Sequence, residues 1–419
     1  MKFQYNKDYI NKHKGLIESF LSLSVLNGIN ILLPLITLPY LVRTIGLAKF
    51  GAYSMVYTIL QYVLLVSTYG FSYTATKQVA QNRNNNDYIA VIFHSTIIAR
   101  FVISIPALLA GLLLTFFIYP IDYLWMYIGG MGIILGDILN PVWLFQGYEK
   151  MRYMTYVNVV CKLFFTILIF IFVRTEEDYL YITLWNSLGS IVAGLVSYYI
   201  SFEVFKLKFV KIKKSDVIYQ IKDSQSVFLS TVFMNLYRNS NIFLLGFFVS
   251  DYGVGVYSAA EKVVKAVQSV TAPISNALFP YMASSFKDRT PRDCSRQILS
   301  VNKEIGFFFL GLTIVFFLTA GIINQLFFDN TDPMITGLMR WMSPVIFIGS
   351  MNYMLGIAGL LNLNYNAYFL KAVTISGVAS LALLIATVKV IDIYSGAIAM
   401  LSAEIVLFFY CFLKLKSLN

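Results

Sequence analysis

The chain contains few of the side chains from which metal sites and disulfide frameworks are built. Its 419 residues include two histidines and three cysteines, and the cysteines Cys161, Cys294 and Cys411 follow no recognised spacing. A structural zinc site takes four cysteine or histidine ligands, and a disulfide scaffold needs a denser set of cysteines. We therefore expect no metal, no disulfide and no other cofactor.

Long polar segments are also lacking. No stretch between apolar runs is long enough to fold a soluble catalytic or nucleotide-binding domain, and no glycine-rich loop followed by lysine is present to hold phosphates. ATP-driven transport by this chain alone is therefore not expected, and neither is enzymatic activity. A polytopic polysaccharide polymerase or glycosyltransferase is one alternative, but such an enzyme would normally carry a large external loop with paired carboxylates or arginines.

Charge is scarce, at 13% of residues, whereas 58% are hydrophobic and the mean hydropathy is +0.70. These values are typical of a membrane protein, in which a helix of roughly 20 apolar residues crosses the bilayer. The sequence predicts an all-α polytopic protein with twelve transmembrane helices. The predicted spans are 16–42, 51–79, 89–118, 123–146, 153–173, 179–205, 224–249, 254–284, 297–327, 333–361, 367–389 and 393–413.

Lysine and arginine predict the orientation of these spans, because cytoplasmic loops are enriched in both. With both termini in the cytoplasm, the predicted external loops hold four of the 32 basic residues, namely Arg43, Lys49, Arg174 and Lys389. The net charge of +11 is concentrated in cytoplasmic segments such as 206–216. We expect these segments to contact anionic membrane lipid and not nucleic acid.

The two halves of the chain share a short repeat. "FGAYSMVYTILQ" (50–61) matches "VGVYSAAEKVVK" (254–265) at an offset of 204, and "LNGIN" (26–30) lies against "MNLYR" (234–238) at an offset of 208. Because each half has six spans, an even number, both halves begin on the same side of the membrane. The two halves are then related by an axis along the membrane normal. We expect two pseudo-symmetric six-helix bundles around a central cavity: residues 1–205 and 224–419, joined by a basic cytoplasmic linker at 206–223.

Six cations lie inside the predicted spans, and they outnumber the intramembrane acids Asp137, Glu261 and Glu404. Because a charge facing lipid costs at least roughly 2.5–3.5 kcal/mol, these cations should face protein or water. Arg238, in "NLYRNSNIFLLGFF" (235–248), could pair with Glu261, or Glu261 could pair with Lys265 four residues on. The six cations are Arg100, Lys162, Arg238, Lys262, Lys265 and Arg340.

A surplus of cations facing a cavity predicts an anion site, and arginine suits phosphate because its planar fork donates two hydrogen bonds. Amide side chains on spans 1 and 7 add donors and acceptors of the kind that sugar hydroxyls need. These are Asn27, Asn30, Asn235 and Asn239. We expect these ten side chains to form the substrate site, with some of the asparagines open to a role in helix packing.

Four stretches resemble a known family: "PLITLPYLVRTIGLAKFGAYS" (34–54), "YGFSYTATKQVA" (69–80), "PVWLFQGYEKM" (141–151) and "GVYSAAEKVVKA" (255–266). They are similar to signatures of Wzx-type O-antigen and polysaccharide flippases of the multidrug/oligosaccharidyl-lipid/polysaccharide (MOP) exporter superfamily. The resemblance implies a two-part, twelve-helix transporter with a cationic lumen in the bacterial inner membrane. It would move an undecaprenyl-pyrophosphate-linked oligosaccharide from the cytoplasmic to the periplasmic leaflet by alternating access.

The expected partners are the polyprenyl-pyrophosphate-linked glycan, membrane lipids and other polysaccharide-assembly proteins. Net direction could come from consumption of the product or from a proton or sodium gradient, for which Glu261 and Asp137 are the candidate titrating groups. A multidrug exporter of the same fold is the second alternative. Its organic-cation substrates would favour an acidic cavity, whereas this one is predicted to be basic.

Overall fold

The computed structural model describes residues 14–271, positions 274, 278 and 282, and residues 285–286, 289–330 and 332–418. Within these ranges the secondary structure is helical, and nine helices are long and apolar enough to cross a membrane. The predicted all-α membrane fold is confirmed, and the count of twelve spans stays a prediction. The first seven helices are α1 (Lys14–Thr68), α2 (Phe71–Gln81), α3 (Asn86–Ile118), α4 (Ile121–Leu139), α5 (Val142–Gly147), α6 (Met151–Phe172) and α7 (Tyr179–Phe205).

The remaining helices follow the basic segment 206–213. They are α8 (Lys214–Leu245), α9 (Asp251–Gln268), α10 (Pro291–Phe328), α11 (Pro333–Met342), α12 (Pro344–Tyr353), a π-helix (Met354–Leu361), α13 (Asn366–Ile391) and α14 (Tyr394–Lys416). Proline at the first position starts α10, α11 and α12, because its missing N–H would have no partner there. Side chains that cap the free N–H groups, Thr290 for α10 and Asp332 for α11, fix two of these starts.

Helix α1 contains predicted span 1 and the larger part of predicted span 2 in one run of 55 residues. A straight helix of this length would extend about 80 Å, far more than one bilayer crossing needs. The run is broken at Gly46, whose backbone angles are φ 72° and ψ 164°. Residues with a side chain rarely adopt this conformation, so glycine is what allows the chain to turn between predicted spans 1 and 2.

The chain divides into two compact units whose bounds differ from those of the predicted halves. The first unit comprises Met1–Pro34 and Val56–Thr231, and the second comprises Leu35–Met55 and Val232–Asn419. Residues 35–55 thus belong with the C-terminal residues, although they lie in the first half of the sequence. The predicted boundary at 206–223 stays a prediction.

In the first unit, α4 and α7 pack closely through small residues. A Cβ atom on Gly136 would be 2.2 Å from the backbone of Ser190, and one on Gly194 would be 2.3 Å from the carbonyl oxygen of Gly136. Glycine and serine allow membrane helices to approach closely where larger side chains would hold them apart. This contact positions Asp137, the next residue of α4.

In the second unit, the part of α1 that directly follows Gly46 and the start of α9 form a contact that we call the glycine seam, made of residues 47–54 and 251–258. A Cβ on Gly51 would be 1.8 Å from the carbonyl oxygen of Asp251, and one on Gly255 would be 1.9 Å from that of Leu47. Ser258 donates a hydrogen bond to Ser54, with 3.0 Å between the two hydroxyl oxygens. Gly51 and Gly255 are 204 residues apart, as are Ser54 and Ser258, so equivalent positions of the repeat contact each other.

Candidate anion site

Arg100 on α3 joins the ends of two neighbouring helices of the first unit. Its side chain is 4% exposed, and it donates from Nε to the carbonyl oxygen of Ser67 (3.3 Å) and from Nη1 to that of Asp137 (2.8 Å). Nη2 forms an ion pair with the Asp137 carboxylate. Both carbonyls belong to the last turn of a helix, where they lack partners within the helix and where a cation is favoured. This geometry gives Arg100 a structural role, and its contact with substrate stays a prediction.

Lys162 on α6 lies close to the same carboxylate and interacts with it electrostatically. Its ammonium group donates a hydrogen bond to the Asn30 side-chain carbonyl on α1. Asp137 therefore has two cations near it, Arg100 in contact and Lys162 farther away. One carboxylate cannot neutralise both, so a positive charge remains at Lys162, whose side chain is exposed.

A second cluster lies in the second unit, where α8 and α9 carry the residues. Lys265 forms an ion pair of 3.0 Å with Glu261, which is 3% exposed, and donates a longer hydrogen bond of 3.3 Å to the side-chain carbonyl of Asn239. Asn239 in turn donates to Asn235 (3.1 Å). The i, i+4 pairing of Glu261 with Lys265, one of the two options left open by the sequence, is therefore the contact that the structure describes.

Lys262 does not join this cluster, although it is the next residue after Glu261. Its ammonium group lies 4.4 Å from the ring centre of Phe50 and 5.6 Å from that of Tyr53. An aromatic face attracts a cation at these distances. The sequence analysis did not identify these aromatic residues, yet the signal was present, because Phe50 and Tyr53 lie in the repeat segment that matches the one containing Lys262.

Of the remaining predicted site residues, the structure describes the side chains of Arg340 and Asn27. Arg340 on α11 is exposed, with its guanidinium carbon 5.6 Å from the ring centre of Phe317. Asn27 is exposed on α1. Arg238 lies within α8, but its side chain is outside the described part of the chain. Its role therefore stays a prediction.

The two clusters share one arrangement, a lysine ammonium hydrogen-bonded to an asparagine carbonyl. The pairs are Lys162 with Asn30 and Lys265 with Asn239. An ammonium group has three donors, so each lysine can bind a phosphate oxygen while it keeps its bond to asparagine. Asn239 donates one of its two amide hydrogens to Asn235, and the other can be donated to a polar partner such as a sugar hydroxyl. Chemically, these pairs suit an anion that carries hydroxyl groups.

Comparison with known proteins identifies relatives of this chain in sequence and in structure. A protein of Escherichia coli (strain K12) that is named as an O-antigen transporter is 27% identical over 397 residues, which cover 93% of this chain and 94% of that protein. The lipid II flippase MurJ in an inward closed conformation superposes with a TM-score of 0.74 at 14% identity, covering 94% of this chain and 87% of that one.

An inward-facing multidrug resistance MATE family transporter of the MOP superfamily superposes with a TM-score of 0.72, also at 14% identity, and covers 96% of this chain and 98% of that one. At this identity the two solved structures show the fold alone. The family model described as "Polysaccharide biosynthesis protein" matches residues 16–286. The chain therefore belongs to the polysaccharide biosynthesis protein family and has the helical membrane fold of the MOP superfamily.

Proposed function

We propose that this protein is a flippase for an undecaprenyl-pyrophosphate-linked oligosaccharide repeat unit. It moves the glycan from the cytoplasmic to the periplasmic leaflet of the bacterial inner membrane, for the synthesis of O-antigen or a similar surface polysaccharide. Family membership supports the substrate class. The observation that carries the proposal is the lysine–asparagine pair in each unit, Lys162 with Asn30 and Lys265 with Asn239, because both pairs suit a phosphorylated sugar.

In this proposal the cations hold the pyrophosphate, the asparagines contact the sugars, and the lipid tail stays in the bilayer. Transport by alternating access requires that the inward and outward states bind the glycan with different affinities. The amino and carboxyl termini lie in the cytoplasm. The direction of transport is set by consumption of the product by other assembly proteins or by coupling to protons or sodium, for which Asp137 and Glu261 are candidate groups.

The test is reconstitution in liposomes with a labelled polyprenyl-pyrophosphate glycan, scoring its movement between leaflets. Lys162→Met should weaken glycan affinity about tenfold to a hundredfold, since a hydrogen bond to a charged group contributes roughly 1.5–3 kcal/mol. The matched control is Lys389→Met, because Lys389 is an exposed lysine in the last turn of α13. Efflux of an organic-cation dye without movement of the glycan would instead support the multidrug exporter.

A further inference from the structure

Helix α2 and the first part of α8 contact each other along one face of each helix, within the first unit. Positions four residues apart on the α2 side meet positions three or four residues apart on α8, in antiparallel order, as the neighbours on a helix face do. The pairs are Gly70 with Val227, Thr74 with Ser224, and Gln78 with Gln220. We call these three pairs the α2–α8 ladder.

The two glutamines bind each other reciprocally. Gln78 donates from Nε2 to the side-chain oxygen of Gln220 (3.3 Å) and to the Asp223 carboxylate (2.9 Å), and Gln220 donates from Nε2 to Oε1 of Gln78 (3.0 Å). Because an ionised carboxylate can only accept, Asp223 fixes the orientation of the Gln78 amide and, through it, that of Gln220. Gln78 is 8% exposed and Gln220 is 3% exposed.

The other two pairs continue the contact along the helices. The hydroxyl oxygens of Thr74 and Ser224 are 2.6 Å apart and share a hydrogen bond, and Ser224 is 0% exposed. The last pair is apolar, since a Cβ on Gly70 would be 2.9 Å from the side chain of Val227. Side-chain hydrogen bonds therefore hold two of the three turns of this contact.

Helix α8 carries the ladder in one compact unit and candidate site residues in the other. Residues up to Thr231 belong to the first unit and residues from Val232 to the second, although the helix is continuous over Lys214–Leu245. The ladder residues of α8 lie in the first part, whereas Asn235 and Asn239 lie in the second. A displacement of the second part is therefore transmitted to the ladder through one unbroken helix.

We propose that the α2–α8 ladder is a latch, a contact that opens and closes in each transport cycle. The proposal rests on the proposed function, because alternating access requires at least one contact that is made in one state and broken in the other. When the latch opens, the first part of α8 separates from α2 and moves with the rest of its helix.

The chemistry of the ladder suits a contact of this kind. An amide or hydroxyl that loses its protein partner can bond to water instead, and this exchange changes the net free energy little. Predicted span 2 ends at 79 and predicted span 7 begins at 224, so the predicted orientation puts the ladder at the cytoplasmic ends of both spans. Water is available there to replace the broken bonds.

The glycine seam provides a fixed contact for comparison. It also contains a hydroxyl pair, in which Ser258 donates to Ser54 over 3.0 Å, and Ser258 is 0% exposed like Ser224. The seam, however, packs backbone against backbone at Gly51 and Gly255, and separating it would expose peptide groups to lipid. We expect the seam to stay closed while the ladder opens.

Thiol alkylation tests the opening directly, without measuring transport. Ser224→Cys and Ser258→Cys are introduced separately into the full chain in liposomes, and the reaction of each position with N-ethylmaleimide is followed by mass spectrometry of its peptide. Ser224→Cys should react at least about tenfold faster, because a buried side chain is reached only when its own contact opens. Ser258→Cys is the matched control. Equal protection of the two positions would exclude the latch.

A reversible cross-link tests whether transport needs the opening. Thr74→Cys with Ser224→Cys replaces two hydroxyls that are 2.6 Å apart, close enough for a disulfide. Oxidation should slow movement of the labelled glycan between leaflets at least about tenfold, and reduction should restore it, because a conformational step would be blocked. Ser54→Cys with Ser258→Cys is the control pair, and its oxidation should leave the movement unchanged.

The possible results separate the latch from the flippase itself. A cross-linked ladder that moves glycan as fast as the reduced protein would overturn the latch and leave the flippase proposal standing. If the parent protein moves no glycan while Ser224→Cys still reacts fast, the ladder opens and the flippase proposal is the one that fails. The alkylation result decides the question alone if the double variant does not fold.

Discussion

The ion pair between Arg100 and Asp137 allows a quantitative test of whether Arg100 supports the fold or binds substrate. Asp137→Asn would leave a guanidinium that is 4% exposed without a counter-charge. Breaking a buried pair in this way costs about 3–5 kcal/mol. Because the Asp137 side chain is 34% exposed, water reaches part of the pair, and we expect the lower end of that range.

The double variant Arg100→Met with Asp137→Asn should be more stable than Asp137→Asn alone, because it removes the stranded charge together with its partner. The free energy of unfolding would be measured by denaturant titration in mixed micelles, with glycan affinity measured on the same samples. Asp329→Asn is the control, since Asp329 pairs with Arg43 at an exposed position, and it should cost only about 0.2–1 kcal/mol.

A specific result would contradict this reasoning. If Asp137→Asn leaves the free energy of unfolding unchanged and Arg100→Met lowers only glycan affinity, then Arg100 is a ligand-binding residue and its bonds to Ser67 and Asp137 contribute little to the fold.

Four further predictions concern single positions or pairs. Arg238→Ala should nearly abolish flipping and Arg238→Lys should keep part of it, because lysine retains the charge but not the planar fork; a folded Arg238→Ala protein that binds glycan as tightly as the parent would remove Arg238 from the site. Since Glu261 contacts Lys265, Glu261→Gln should lower transport, and the double variant with Lys265→Met should stay inactive because Lys265 also holds the pyrophosphate in the proposal; recovery of transport in the double variant would give Glu261 and Lys265 a role in ion pairing alone and would remove Lys265 from the site. Gly136→Ala should lower the melting temperature, with overpacking costing about 1–3 kcal/mol, whereas Gly129→Ala, with its nearest neighbour at 3.5 Å, should not; equal melting of both would show that α4 and α7 can separate freely. A cysteine at Asn330 should react with an impermeant thiol reagent outside spheroplasts and one at Lys213 should not, and the opposite pattern would invert the proposed orientation.

Helix positions were predictable from the sequence because lipid imposes one requirement on every span. Backbone polar groups must be satisfied within the helix, so apolar length alone identifies a span. The predicted spans 89–118 and 179–205 coincide with α3 and α7 to within a few residues. The break in α1 was harder to place, since Gly46 ends one span by its backbone conformation and not by polarity.

The partners of intramembrane charges were predictable only where the sequence spacing was short. Glu261 and Lys265 are four residues apart on one helix, so their contact was one of the options considered. Arg100 and Asp137 are on different helices, and so are Asn352 and Glu404. Their contacts depend on how those helices pack, which in α4 and α7 is set by glycines whose partners the sequence does not identify.

The glycine seam has a consequence for how the sequence can change over time. A contact between equivalent positions is isologous, as in a symmetric dimer, where each residue meets its own counterpart. Here the two counterparts belong to one chain and mutate separately, so the chain must keep a glycine at two places where a symmetric dimer would encode it once. A methyl group added at either Gly51 or Gly255 would meet backbone at less than 2 Å, and backbone cannot rotate aside as a side chain can. Substitution on one side therefore cannot be rescued by shrinking the other, which is already glycine, and the pair can only be retained or lost together.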